Sequence, residues 1–283
     1  MSEITDFYPS WLGTNSFGIT SSSAANPSAP IFFTPLDISG CSIWFNCDDL
    51  ETIVQDDVGN LSTIRNLGEI GNEAAMAAGT VSVVQDINNL NCLAFASSSL
   101  LSITATLPYT SRTAFYVYKV TSDLSGGEYV GYPYVDFFAG EANYEIVSIG
   151  YNSGSNIFEY SQGINGVDLT LLGKTEENPY NVAQYLTLRT DFDISANNLL
   201  QINNGENLNQ WEPTNVFSTN SANYTLNTSN GIATFVLGEM IEYNRVLSEY
   251  EMSLLHNYID AKWFGAEPPI AIEPVPEEPV SIA

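Results

Sequence analysis

The chain has 283 residues, 44% hydrophobic and 12% aromatic, which suits one large β domain or two small ones around a packed core. Thirty-three acidic residues against seven basic ones leave a net charge of −26. Such a surface repels phosphate backbones and anionic lipids, so nucleic acid and membrane are set aside as partners. The acidity reads first as solubility, with weak divalent-cation binding as the sharper alternative.

Residues 1–38 read as an N-terminal extension or arm. SSSAANPSAP is small and polar, and Pro27, Pro30 and Pro35 break any regular element. Phe7, Tyr8, Trp11, Phe17, Phe32 and Phe33 flank it, and a disordered tail would lack them. The arm is therefore expected to lie on its own domain or on a neighbouring subunit. The first residues show neither a basic n-region nor an apolar h-region, so no signal peptide is expected. No apolar run approaches the length of a membrane span.

From residue 39 to residue 265 the pattern is that of one β domain. CSIWFNC alternates, which predicts a strand with Cys41, Ile43, Phe45 and Cys47 along one face. Three cysteines, Cys41, Cys47 and Cys92, are too few for a disulfide framework and show no metal spacing, so buried free thiols are expected. Strands follow at LSTIRNL, VSVVQ, NCLAFA and LLSITATL. TAFYVYKV, Thr113–Val120, is the purest of them. Further strands are predicted over 128–138 and 144–151, then at IFEYSQ, VDLTLLG and AQYLTLRT. LLQINNGENLNQW predicts a hairpin, because Asn204-Gly205 favours a type I′ turn. Sequons at Asn60, Asn223 and Asn227 read as chance occurrences in an Asn-rich chain.

A last strand is predicted over Ile232–Tyr243, and a helix starts after Ser248. Ser248 and Glu251 make an S-x-x-E capping box, and Leu247 can staple onto Met252. Leu254, Leu255, Tyr258, Ile259 and the stem of Lys262 share one helical face, and Gly265, Pro268 and Pro269 stop the helix. Residues 266–283 form a Pro-rich acidic tail with recurring Ile and Val, either a spacer or a docking segment. About a dozen short strands and one helix predict an all-β, antiparallel sandwich or barrel.

The closing segment resembles the signature of concanavalin A-like lectin domains of the laminin-G-like group. Tyr243-Asn244-Arg245, Leu247-Ser248, Glu251, Tyr258-Ile259 and Lys262-Trp263 match it in order. IWFNCDD is similar to that family's opening strand. NLSTIRNLG is similar to a segment in which the family has Trp where Ile64 stands here. NCLAFASSSLLSI, TAFYVYKV and INNGE resemble further parts in the expected order, so the likeness covers about residues 40–264. It implies a two-sheet antiparallel jelly-roll sandwich with one C-terminal helix. It does not fix a function, since relatives bind carbohydrate, bind protein or serve as structural modules. The family is also frequent in structural proteins of bacteriophages and large DNA viruses.

Catalytic chemistry finds little support. His256, the only histidine, is expected on the solvated side of the helix. Glu239 and Glu242 lie three apart on a strand and so on opposite faces, unlike a glycosidase pair. Asp191, Asp193, Ser195 and Asn197 are spaced like a calcium loop. The glycine at its sixth position is missing, and Ile202 stands at its twelfth, so a polar turn is expected instead. No phosphate-cradling loop occurs and no cofactor is implied. Tyr129, Tyr132, Tyr134 and Trp211 are candidates for stacking on sugars, although aromatics in a β sandwich more often serve core or inter-sheet packing. The sequence itself assigns no ligand-binding residue.

Two functions follow. The first is a non-enzymatic virion structural protein, a minor capsid, decoration or fibre-associated subunit, whose arm and tail bind other capsid or virion subunits. The second is a carbohydrate-binding or adhesion module, extracellular or at a cell surface, that recognises surface glycans.

Overall fold

A computed structural model of the chain describes residues 17–19, 31–104, 111–122, 134–140, 146–152, 157–164, 168–175, 180–191, 199–203, 205, 223–227 and 234–266. Among them are eighteen strands. They are β1 (Phe17–Ile19), β2 (Ile31–Phe33), β3 (Cys41–Asn46), β4 (Ile53–Gln55), β5 (Leu61–Arg65) and β6 (Glu73–Ala78). Next come β7 (Val81–Gln85), β8 (Asn91–Phe95), β9 (Leu100–Thr104), β10 (Ser111–Val120), β11 (Tyr134–Gly140) and β12 (Ile146–Asn152). The last are β13 (Ile157–Ile164), β14 (Asp168–Thr175), β15 (Ala183–Asp191), β16 (Leu199–Ile202), β17 (Asn223–Asn227) and β18 (Phe235–Tyr243). One helix, α1 (Glu249–Phe264), follows β18.

Seven strands form one sheet in the order β16-β15-β10-β18-β8-β7, with β3 also paired to β18. Nine form a second sheet in the order β14-β13-β12-β11-β17-β9-β6-β5-β4. All ladders in both are antiparallel. The sheets pack face to face. Ile43, Phe45, Tyr116, Leu186 and Leu237 of the first meet Leu61, Ile64, Ala74 and Leu101 of the second. This is the two-sheet jelly-roll sandwich with one C-terminal helix that the sequence led us to expect.

The seven-stranded sheet carries a second core on its outer face, where α1 lies. Leu255, Tyr258, Ile259 and Trp263 pack there against Trp44, Phe115, Val117 and Ile241. A sheet covered on both faces loses the apolar–polar alternation, which is why all nine residues of β18 and all six of β3 are buried. Phe33 and Ile38 join this outer core, Phe33 edge-on to Tyr258 at 6.2 Å, and the Tyr243 hydroxyl donates to the Pro35 carbonyl. Part of the segment assigned to the arm thus rests on the chain's own helix side.

The helix ends are closed as their residues dictate. Ser248 accepts from the Glu251 amide at 3.3 Å, and Glu251 accepts from the Ser248 amide at 2.9 Å. Arg245 forks onto Glu251 at 2.5 and 3.0 Å and, with these bonds, holds its carboxyl down at about 2. Gly265 takes the left-handed conformation, φ 67°, at the other end. Leu247 and Met252 are both buried in the outer core, in keeping with a staple. Among the described residues no helix is long and apolar enough to cross a membrane.

One strand that the sequence reading did not include, and one difference from that reading, have physical causes. β6 is Ala-rich, a composition that favours helix, yet its backbone bonds are taken by β5 on one side and β9 on the other. Cys41 does not share a face with Ile43, Phe45 and Cys47. The register of β3 on β18 slips between Glu242 and Tyr243, so Cys41 turns to the outer core while the other three face the sandwich interior. All three cysteines are free and buried, and burial pushes Cys92 up to about 12 and Cys41 and Cys47 well above the usual thiol range.

A bulge at Gly238 sets the geometry of everything above it. On β10, Tyr118 pairs with Leu237 and Val117 with Glu239, so Gly238 is the extra residue. Here β18 also changes partner, from β8 at Phe235–Leu237 to β3 at Glu239–Tyr243. Trp263 lies directly over Gly238, where an added Cβ would sit 2.9 Å from the indole. Gly238→Ala is therefore expected to cost about 1–3 kcal/mol by overpacking, read as a lower urea midpoint with unchanged slope. An unchanged midpoint would mean that Trp263 does not rest on this bulge.

Candidate functional site

Because Gly238 is extra, Gly238 and Glu239 both face the helix, and the alternation resumes in the opposite phase. Glu242 then points into the sandwich. The two carboxylates therefore lie on opposite faces, as their spacing predicts, and both are 0% exposed.

Glu239 is the centre of a closed polar network under α1. Its Oε1 accepts from Trp44 Nε1 at 2.6 Å and from the Tyr258 hydroxyl at 2.8 Å. Its Oε2 accepts from Lys262 Nζ at 3.0 Å and from Trp263 Nε1 at 2.5 Å. Lys262 also donates to Asn46 Oδ1 at 2.8 Å. Four donors on one carboxylate satisfy a buried charge that would otherwise be prohibitive. The network ties β3, β18 and α1 together. Glu242 lies inside the sandwich, 3.9 Å from Arg112 Nη1, and both side chains are almost wholly buried. Neither carboxylate meets solvent, so in this fold neither can act on a substrate.

His256 departs from the expectation of a solvated side chain. It is 5% exposed, edge-on to Phe115 at 5.6 Å, and its Nε2 shares a 3.1 Å hydrogen bond with Thr187 Oγ1. The buried arc of α1 is wider than the stripe read from sequence. It runs from Met252 through Leu255, His256 and Ile259 to Trp263. Burial pushes His256 down to about 4, with the Glu249 carboxylate opposing only in part, so the ring is neutral at pH 7.

Beside His256 the helix stands over the edge of the seven-stranded sheet and leaves a groove of about 160 Å³. Gln201 of β16 forms its floor, and Glu249, Met252, Ser253, His256 and Asn257 of α1 form its wall. Gln201 pairs with Thr187 across β15, which places it next to the residue that holds His256. Gln201 Nε2 donates to the Gly205 carbonyl at 3.0 Å, whereas its Oε1 is buried without a hydrogen-bond partner. Arg189 Nη1 reaches Glu249 at 2.6 Å, so the groove's one carboxylate carries its own counterion. Tyr250, 69% exposed, lies on the helix surface beside Ser253 and Asn257, at the spacing of helical neighbours. No sequence signal joins Gln201 to residues 249–257, because only the sheet order brings them together.

Other sequence candidates contribute less. Asp191 ends β15 and is buried, while Asp193, Ser195 and Asn197 lie outside the described residues. So do Tyr129, Tyr132 and Trp211. Tyr134 begins β11, opposite Gly150 of β12. Among the described residues no group of three His, Cys, Asp or Glu side chains is placed to hold a metal ion.

No protein-family model and no curated protein matches the sequence. Solved structures do. The ligand-binding domain of botulinum neurotoxin serotype D in complex with N-acetylneuraminic acid aligns with a TM-score of 0.53 at 8% identity, over 77% of this chain and 50% of that one. The binding domain of botulinum neurotoxin DC in complex with SialylT gives 0.53 at 13%, over 77% and 51%. The binding domain of Paraclostridial Mosquitocidal Protein 1 gives 0.55 at 13%, over 79% and 53%. At these identities the likeness is one of fold, and the chain spans about half the length of those domains. What the comparisons establish is that this chain shares the lectin-like β-sandwich found in toxin binding domains.

Proposed function

We propose that the chain is a non-catalytic recognition module that binds carbohydrate at a cell or particle surface, the second of the two functions drawn from sequence. The observation that carries it is the sandwich shared with toxin binding domains, two of which were solved with N-acetylneuraminic acid and SialylT and one with rat synaptotagmin II. Those ligands belong to domains about twice as long, so for this chain the ligand class is an inference. The chemistry of the described surface supports it. Glu239, Glu242 and His256 are held in packing, while the groove offers neutral polar groups beside an exposed aromatic ring. The virion role draws on the arm and tail, and it gains no support from the neighbours. Of the arm, Phe33, Pro35 and Ile38 are buried on the chain's own core, which needs no second subunit to explain their apolar character.

The test is to pass the full chain over an immobilised glycan panel of neutral and sialylated oligosaccharides. Saturable binding to a defined subset is expected. A blank panel together with incorporation of the chain into particles would replace this reading with the structural one.

A further inference from the structure

We infer that the groove between α1 and β16 is a subsite for one uncharged sugar ring, with Tyr250 as the wall on which the ring stacks. This rests on the carbohydrate-binding reading and names its site and ligand class. Three observations converge on it. First, the groove is polar and close to the size of a single pyranose. Gln201, which lines the groove, holds its Oε1 buried without a donor, and a turn of its amide towards a hydroxyl in the groove would satisfy that acceptor. Second, Ser253 and Asn257 line the same groove from the helix. Hydroxyl and amide groups both donate and accept, as a ring of sugar hydroxyls requires. Ser253 Oγ donates to the Tyr250 carbonyl at 2.7 Å, which leaves its lone pairs as acceptors. Third, Tyr250, outside the lining itself, presents an exposed ring one helical turn from Ser253 and two from Asn257, which do line the groove.

The charge pattern decides the ligand class. The one carboxylate in the groove, Glu249, is bridged by Arg189, and no Lys or Arg is among the six lining residues. His256 carries no charge at neutral pH, and the whole chain carries −26. A sialic acid carboxylate would have to compete with Glu249 for Arg189, the cation beside the groove, and would enter against the field of the protein. A neutral hexose or N-acetylhexosamine meets no such penalty.

The experiment is saturation-transfer NMR and calorimetric titration of the full chain with methyl galactoside, methyl glucoside, N-acetylglucosamine and N-acetylneuraminic acid. At least one neutral sugar is expected to bind, and N-acetylneuraminic acid is expected not to. Tyr250→Ala and Gln201→Leu should each weaken the neutral sugar by about tenfold or more, the first by removing the stacking face and the second by removing the acceptor. Tyr250 is exposed, so its variant should keep the wild-type melting temperature and thereby separate lost binding from lost folding. A neutral sugar whose affinity is untouched by both variants would overturn the site while leaving carbohydrate binding intact. Preference for N-acetylneuraminic acid would overturn the ligand class. Absence of binding to every sugar and to the glycan panel would overturn both the site and the wider reading.

Discussion

Glu239→Ala is expected to destabilise the chain by about 3–5 kcal/mol, the range for breaking a buried ion pair by removing one partner. The loss arises because four donors converge on this carboxylate. Without it, the Lys262 ammonium keeps only Asn46 and Tyr258, and the indole N–H groups of Trp44 and Trp263 are buried without their acceptor. For a chain of this size that corresponds to a melting temperature lower by about 10 °C. Glu239→Gln keeps the shape and one acceptor oxygen, so it should cost less. Replacing both charged partners, Glu239→Leu with Lys262→Met, should be milder than the sum of the single changes, because no uncompensated charge remains. Urea unfolding followed by circular dichroism would measure all of these. A Glu239→Ala loss below about 1 kcal/mol would place the network in solvent-like surroundings and contradict the sealed helix.

Acid should unfold the helix side first, through His256. Its folded value of about 4 lies below the unfolded value of 6.5, so the unfolded chain binds more protons between those limits. The stabilising contribution of the neutral ring is therefore complete above about pH 6.5 and is lost as pH falls through about 4, a total of roughly 3 kcal/mol. Glu251, held at about 2 chiefly by its bonds with Arg245, adds a separate loss at lower pH. Asp48 and Asp260 act in the opposite direction, since burial raises both carboxyls. The difference between wild type and His256→Gln isolates the histidine. The variant should be less stable at pH 7, through lost packing on Phe115, and the gap should close as pH falls towards 4. A gap independent of pH over that range would show that His256 titrates as a solvated side chain.

The parts of the fold that were legible in sequence are those written in neighbouring residues. Ser248, Glu251, Leu247, Met252 and Gly265 specify the start and stop of α1 locally, and the structure uses each as expected. β10 was legible because Ala114–Tyr118 run without a polar interruption, a sign of burial on both faces. What was hidden depends on long-range pairing. Nothing in VLGEM shows that Gly238 is a bulge, yet that one residue turns Glu239 to the helix and Glu242 to the sandwich interior. β6 reads as helix-favouring Ala, and only its two neighbours make it a strand. His256 could have been found: it falls four residues after Met252 and seven before Trp263, on the stripe those two define. The groove could not, because Gln201 is separated from α1 by about fifty residues and meets it only through the order of β15 and β16.

The proposed role of this lectin-like sandwich is to recognise carbohydrate without transforming it. Calorimetric titration of the intact protein with the oligosaccharide that gives the strongest panel signal, with reducing ends assayed in the same cell, tests it most directly. The expected result is a single saturable binding heat and no release of reducing sugar over hours. Continuous heat with accumulating reducing ends would contradict the claim by showing turnover, and the absence of any heat would contradict it by showing no recognition.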